Sequence, residues 1–351
     1  MSRKSDIRAE AERLRKTFEA RGAEVFEPSI LQPAGALLGL YGEEIRARAF
    51  VTQDPLRGEM MLRPDFTVPL VEAHMAAGRS EARYTYAGEV FRRQEEDEAR
   101  PTEYIQVGYE VFGEASAIEA DAEVFAAMNW ALAGLPLTPS IGDMGVLRAA
   151  VMGLDTPDRR KQALLRHLWR PSRFKSLLER FSQKAASAPE MVAPDVPHVG
   201  LRSRAAVEAR LALLAEEAET APITAKELDR LSAILAVEDR APAAVKALGA
   251  LAGDDAGLRE AVTQVEARLD AIADMRVDPV TLIFEASYGR TSLEYYGGFV
   301  FGFSAGSDWP VVATGGRYDD LASALGDGRA MPAVGGVIRP EAVSALKEGR
   351  L

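Results

Sequence analysis

Between Glu103 and Phe112 the side chains alternate, with Tyr104, Gln106, Gly108, Glu110 and Phe112 on one face and Ile105, Val107, Tyr109 and Val111 on the other. A period of two predicts a strand. Gly88 to Gln94 reads as a second strand, and the charged stretch from Glu95 to Pro101, apolar only at Ala99, predicts the connection of a long hairpin. Ahead of this pair a helix is expected over roughly Ser5 to Ala20, stopping at Gly22, followed by a strand near Glu24. Residues 34–46 read as loop and short helix, Met60 to Leu62 as extended chain, and Thr67 to Ala77 as helix. Ser116 with Glu119 makes a capping box, and Ile118, Ala122, Phe125, Met128 and Leu132 give the helix behind it one apolar face.

From about Leu154 to Asp274 the pattern is helical throughout. Thr224 with Glu227 is another capping box, and Leu258, Val262, Val265, Leu269 and Ile272 recur at steps of four and three. Ala188 to Gly200, with Pro189, Pro194 and Pro197, reads as a linker inside this block. Strand signals resume at Val280 to Phe284, Phe299 to Phe303 and Val311 to Ala313. Antiparallel strands with helices segregated beside them predict an α+β fold. The expected division is a core formed by residues 1–153 and 275–351, with 154–274 as a helical insertion.

A length of 351 residues buries a large core and suggests about two domains. With no cysteine, disulfides, thiolate nucleophiles and cysteine-based zinc sites are excluded. The three histidines, His74, His167 and His198, lack metal-ligand spacing, so no metal is expected. The N-terminal residues lack a secretory apolar region and no stretch approaches a membrane span, which predicts a cytoplasmic chain. A formal charge of −11 and a pI near 5.1 disfavour a surface for wrapping a polyanion. One segment runs against that charge. Arg159, Arg160, Lys161, Arg166, Arg170, Arg173, Lys175, Arg180 and Lys184 are opposed in sequence only by Glu179, with leucines and phenylalanines interleaved. This amphipathic basic pair of helices reads as a solvated face packed on its own domain, or as a docking surface for an acidic partner or RNA.

The chemistry centres on Glu110. A buried carboxylate without a partner costs several kcal/mol, so a glutamate in mid-strand implies a cationic neighbour, a ligand amine or exposure on an edge strand. Gln106 and Glu110 flank the gap left by Gly108. Glycines at 297, 298, 302, 315, 316, 335 and 336 suit turns or close backbone approach to a ligand. Neither a Walker A motif nor a dinucleotide fingerprint is present, and no cofactor is expected.

Several blocks, in order, carry a resemblance. Phe91-Arg92 with Tyr104-Ile-Gln106-Val-Gly108-Tyr-Glu110-Val-Phe-Gly113 resembles motif 2 of histidyl-tRNA synthetase, a class II synthetase, and of its paralogue family, the regulatory subunits of ATP phosphoribosyltransferase. Glu24-Val25-Phe26-Glu-Pro28 resembles the motif 1 strand with its proline, and Leu62-Arg63-Pro64-Asp65-Phe66-Thr67 the Leu-Arg-Pro-Glu/Asp-x-Thr element. Leu293-Glu294-Tyr295-Tyr296-Gly297-Gly298 and Gly315-Gly316-Arg317-Tyr318-Asp319 resemble the two histidine-specific signatures. The blocks span residues 24 to 338. The resemblance implies a class II synthetase-like antiparallel sheet flanked by helices. It also implies a histidine pocket formed by Asp65, Thr67, Arg92, Gln106, Glu110, Tyr295 and Tyr296, and a homodimer through Val25, Phe26 and Pro28. Carboxylates suit an ammonium, and tyrosines suit an imidazole. The residues alone leave room for a blander reading, in which the tyrosines are core and Asp65 is only an N-cap ahead of Thr67.

The departures from the synthetase pattern separate the two families. Thr291 stands where the synthetase has the arginine four residues before the first tyrosine of its signature; Arg290 is one residue away, and one residue of register turns a strand side chain to the opposite face. Glu341 is followed by Ala342 instead of the motif 3 arginine, with Pro340 interrupting the pattern, and Gln94 replaces the motif 2 acid. Phosphoryl chemistry rests on positioned positive charge, so these losses argue against adenylation. The chain stops at Leu351, soon after the motif 3 region, so no C-terminal anticodon-binding domain and no tRNA partner are expected.

The function implied is a non-catalytic regulatory subunit of short-form ATP phosphoribosyltransferase. It would join a separate catalytic subunit in a hetero-oligomer and supply activation and histidine feedback in the first step of histidine biosynthesis. Two alternatives stand beside it: a truncated synthetase-like enzyme that activates an amino acid with ATP, favoured by Arg92 and Arg63, and a histidine sensor unrelated to biosynthetic catalysis.

Overall fold

The computed structural model describes residues 3–35, 49–93, 101–113, 116–184, 200–290, 296–306, 311–326 and 328–349. Helix α1 (Lys4–Glu19) leads to β1 (Glu24–Val25); β2 (Leu31–Pro33), β3 (Val51–Asp54) and β4 (Gly58–Leu62) then form a small sheet in the order β2-β4-β3. Helix α2 (Thr67–Ala77) ends on Gly78, whose φ of 66° supplies the left-handed turn a helix C-terminus favours. It feeds the hairpin of β5 (Ala82–Phe91) and β6 (Glu103–Phe112), after which come α3 (Ala117–Ala131), β7 (Thr138–Asp143) and α4 (Met144–Met152). The helical block holds α5 (Asp158–Leu165), α6 (Pro171–Phe181), α7 (Arg204–Glu219), α8 (Ala225–Leu235), β8 (Glu238–Arg240), α9 (Ala241–Ala252) and α10 (Ala256–Asp274). The chain returns through β9 (Ile283–Glu285), β10 (Phe299–Ser304), β11 (Ala313–Arg317), α11 (Asp319–Leu325), β12 (Ala333–Ile338) and α12 (Pro340–Lys347).

Nine strands make the main sheet, in the order β1-β5-β6-β12-β11-β10-β7-β9-β8. Only β1 with β5 and β7 with β9 run parallel; the other pairs are antiparallel. On its rear face Tyr109 stacks on Phe18 of α1 at 5.1 Å, and Phe125 of α3 meets Phe299, Phe301 and Phe303 of β10. Such offset and edge-on contacts add to the gain from burying apolar area. The helical block shares this core, because Leu258, Val262, Val265, Leu269 and Ile272 of α10 are buried with the sheet residues in one cluster. The spacing of four and three turns that stripe toward α3 and α4.

A buried ionic cluster fixes the block to the sheet. Arg268 of α10 donates to Asp121 of α3 at 2.8 Å and to Asp143, at the junction of β7 and α4, at 2.7 Å. Arg317 of β11 donates to Asp121 from the other side at 2.9 Å and to Asp319. Asp143 also accepts from the Gly145 amide, capping α4. Two aspartates so deep are tolerable only because two guanidiniums and a helix N-terminus meet them.

Two local expectations are revised. The block is helical apart from β8, a fully exposed edge strand whose three residues, Glu, Asp and Arg, give no alternation to read. The Thr224–Glu227 capping box closes in both directions, whereas at α3 only the Ser116 hydroxyl accepts, from the Glu119 amide. The basic segment does pack on its own domain: Glu217 of α7 meets both Arg159 and the fully buried Arg160, which also donates to the Ala221 carbonyl. The hairpin connection, the expected linker and most of the 34–46 segment lie outside the described residues.

Replacing Arg268 by methionine leaves Asp121 and Asp143 short of a cation in the interior. Breaking a buried pair in this way costs about 3–5 kcal/mol. Urea unfolding is expected to show that loss, and a change below about 1 kcal/mol would mean that water can replace the guanidinium.

Candidate functional site

The front face of the sheet is floored with glycine. Cross-strand register puts Gly88, Gly108, Gly335 and Gly316 on this face of β5, β6, β12 and β11, with Gly302 and Gly142 continuing it on β10 and β7. A Cβ on Gly108 would lie 2.0 Å from the ring of Tyr86, one on Gly335 only 1.4 Å from Glu110 Oε2, and one on Gly302 1.8 Å from the Tyr288 hydroxyl. At Gly88 it would strike Arg63, and at Gly316 the ring of Tyr296. The close approach that these glycines permit is therefore made by the protein's own side chains. Gly315 and Gly336 serve the rear face instead, under Phe301 and Met128.

Glu110 sits in the middle of this floor, 2% exposed. It is neither on an edge strand nor beside a cation among the described residues. Tyr86 donates to its Oε1 at 2.9 Å and Tyr318 to its Oε2 at 2.7 Å. Burial pushes the Glu110 carboxyl up to about 7, the two tyrosine bonds oppose that rise, and Asp65 adds to it. The same burial, with the carboxylate beside them, pushes both tyrosines well above their ordinary range.

The loop before α2 forms the wall. Arg63 lies over the Phe66 ring at 4.1 Å and donates to the carbonyls of Glu89 and Pro28; Phe66 in turn stacks on Tyr86 at 4.1 Å and 8°. Arg63 is thus committed to holding this wall. Asp65 is buried and raised by desolvation, with Arg92 and the amides of Val68 and Thr67 pulling it down. One of its oxygens, Oδ1, has no partner, and neither has Gln106 Oε1. The N-cap position of α2 is Phe66 and no side chain caps it, so Asp65 is not the N-cap that the blander reading expected. Arg92 donates its Nε to the Pro64 carbonyl. The fold brings Asp65, Thr67, Gln106, Glu110 and Tyr296 into the buried layer on this side; Tyr295 and Thr291 lie outside the described residues.

Tyr86 and Tyr318 carry the Glu110 network, yet neither is among the residues expected to line a histidine pocket. Tyr318 stood in a recognised signature, while Tyr86 had only its period-two relation to Gly88 to mark it. Arg290 lies in the turn after β9; its Nε donates to the Leu168 carbonyl and its guanidinium lies over Phe174, so it faces the helical block. Glu341 accepts from the Ile105 amide at 2.8 Å, and Ala342 behind it is buried. Among the described residues no cluster of three or more histidine or acidic side chains could hold a metal, and no helix is long and apolar enough to cross a membrane.

A family model described as histidyl-tRNA synthetase matches residues 2–343. The chain is 32% identical to the ATP phosphoribosyltransferase regulatory subunit of Allorhizobium ampelinum, over 91% of this chain and 92% of the relative. It is equally close, at 32%, to the protein of that name from Brucella canis, over 95% and 96%. Among solved structures it superposes on an ATP phosphoribosyltransferase regulatory subunit/histidyl-tRNA synthetase from Bacillus halodurans with a TM-score of 0.72 at 20% identity, covering 97% of this chain and 79% of that one. A histidine–tRNA ligase subunit from Alicyclobacillus acidocaldarius gives 0.64 at 23%, covering 99% and 94%. At such identities the two superpositions speak for the fold, a class II synthetase-like sheet.

The raised Glu110 carboxyl has a consequence for stability. The folded state holds this proton more tightly than the unfolded state, so its contribution is fully present below about pH 4.5 and is lost as pH rises toward 7. Relative to the native protein, Glu110→Gln is expected to gain stability across that window, by at most about 1.4 kcal/mol per pH unit. Urea unfolding at several pH values checks this, and a difference independent of pH would contradict it.

Proposed function

We propose a regulatory role for this chain, which belongs to the histidyl-tRNA synthetase family and, within it, to the ATP phosphoribosyltransferase regulatory subunits. It joins a separate short catalytic subunit in the cytoplasm, is needed for that subunit's activity in the first step of histidine biosynthesis, and carries the histidine feedback. The observation that supports this reading is the pairing of a kept amino-acid pocket with a diverted arginine. Unpartnered acceptors at Asp65 and Gln106 beside Glu110 suit an ammonium and an imidazole. Arg290, the cation nearest to the position of the synthetase's first signature arginine, is spent on Leu168 and Phe174. Ala342 offers no charge where motif 3 would have one, so adenylation and tRNA charging are not part of its activity.

The pair assembles through the N-terminal region. Val25, 39% exposed, stands on β1 beside Phe26 and Pro28, and Ile30, Phe50 and the first residue of β3, Val51, are exposed as well. An apolar patch of this kind suits a symmetric homodimer. Histidine inhibits by binding one assembly state better than another, since an effector shifts an equilibrium only by its difference in affinity for the two states.

Formation of phosphoribosyl-ATP by the catalytic subunit of the same organism is expected to rise strongly when this chain is added, and to fall again as histidine is titrated in. Absence of both activation and co-elution would overturn the reading, and histidine-dependent ATP–pyrophosphate exchange by the chain alone would replace it with an amino-acid-activating enzyme. Val25→Asp with Ile30→Asp is expected to halve the mass of the chain in sedimentation while leaving the far-ultraviolet spectrum unchanged. An unchanged mass would place the dimer elsewhere.

A further inference from the structure

Arg290 is a buried cation without an anion. It is 8% exposed, and the Leu168 carbonyl and the Phe174 ring use only part of it: Nη2 has no acceptor among the described residues. Arg160, Arg268 and Arg317 are similarly deep, and each meets a carboxylate. Around Arg290 nothing offsets desolvation, which pushes its guanidinium below the usual arginine range. A charge left in the interior in this way is costly, and it points to an acceptor that the chain does not supply.

A guanidinium is a rigid fork, so the unused arm ends beside the two groups that the rest of it touches. Those groups bracket the N-terminus of α6: Leu168 is in the turn before it, and Phe174 is the fourth residue of the helix. In the same turn Trp169 has its Nε1 without an acceptor. Pro171 opens the helix and no side chain caps it, so the amides of Ser172 and Arg173 point out of its end. Arg170, Pro171, Ser172, Arg173 and Ser176 line a cavity of about 350 Å³ here. Arg173 is exposed and has no ion pair among the described residues; Glu179, the single acid of the basic segment, lies 3.9 Å from Lys175.

We propose that this end of α6 binds the phosphate group of a small phosphate ester. Arg290 backs the group from the interior, the Trp169 indole and the amides of Ser172 and Arg173 supply further hydrogen bonds, and the Arg173 guanidinium closes over it from solvent. Aligned dipoles at a helix N-terminus favour an anion, and a guanidinium fork matches two oxygens of it at once. Phosphate is favoured over a carboxylate because its oxygens lie in more than one plane, as donors from the interior, the turn and the helix end require. The cavity has the size of a small-molecule site. This site belongs to the helical block, and the inference stands whether or not the chain binds histidine.

Calorimetric titration of the full chain with glycerol 3-phosphate, and separately with inorganic phosphate, checks this. The ester is expected to bind at least as tightly as the free anion. Binding of inorganic phosphate with rejection of the ester would overturn the assignment to an ester, and binding of neither would overturn the site. Arg290→Met is expected to lower affinity about tenfold or more while keeping or raising stability to urea, since it exchanges an unpaired buried charge for an apolar chain. If Arg290→Met is destabilised with its affinity intact, Arg290 serves the fold alone and the proposal falls. Arg173→Ala, at the surface, is expected to weaken binding without affecting folding. Lys184→Ala removes the same charge at the far end of the segment and is expected to leave affinity unchanged; an equal loss there would mean diffuse attraction and overturn the site. A short RNA duplex that binds where neither probe does, and no longer binds Arg173→Ala, would assign this surface to a polymer instead.

Discussion

A carboxyl group in the middle of a nine-stranded sheet sets the terms for everything around it. With no cation beside it among the described residues, Glu110 is tolerated because two phenols converge on it and because the strands on either side are glycine where it and Tyr86 must lie. Tyr86 needs Phe66 to hold its ring, and Phe66 needs Arg63, whose guanidinium is spent on two carbonyls. The wall of the pocket and the loop before α2 thus follow from one burial problem. A half-satisfied polar network is costly, and this one closes except at Asp65 and Gln106.

Front and rear of the sheet meet at three consecutive residues. Arg317 points back into the Asp121–Arg268–Asp143 cluster, Tyr318 reaches forward to Glu110, and Asp319 accepts from both Arg317 and the Ala333 amide. One short stretch of backbone therefore joins the pocket to the helix that carries Arg268. A displacement of Tyr318 therefore pulls on the buried ionic cluster through Arg317 and Asp319 on either side of it.

Much of the fold was legible because its elements are periodic. The alternation of β6, the apolar stripe of α10 and the bounds of α2 appear in the chain as they do in the structure. What the sequence could not supply was distance. The partners of Glu110 lie 24 and 208 residues away, and Glu217 lies 57 residues from the arginine it neutralises. No local pattern announces such pairs, so Glu110 left a cation, a ligand amine and exposure open, and the basic segment left a face packed on its own domain and a docking surface open. The strand Glu238–Arg240 escaped for a different reason, since an exposed edge has no hydrophobic face to betray it.

The glycine floor also limits how the proposed histidine site can change. Any residue larger than glycine at 108 or 335 collides with the Tyr86 ring or the Glu110 carboxyl, and at 302 with the Tyr288 hydroxyl, so these positions cannot be used to reshape it. Variation in what the pocket accepts is confined to the groups standing above the floor: Asp65, Tyr86, Tyr288, Tyr296 and Tyr318. A lineage drifting toward a new effector would have to rewrite the ceiling of the chamber while its base stayed fixed.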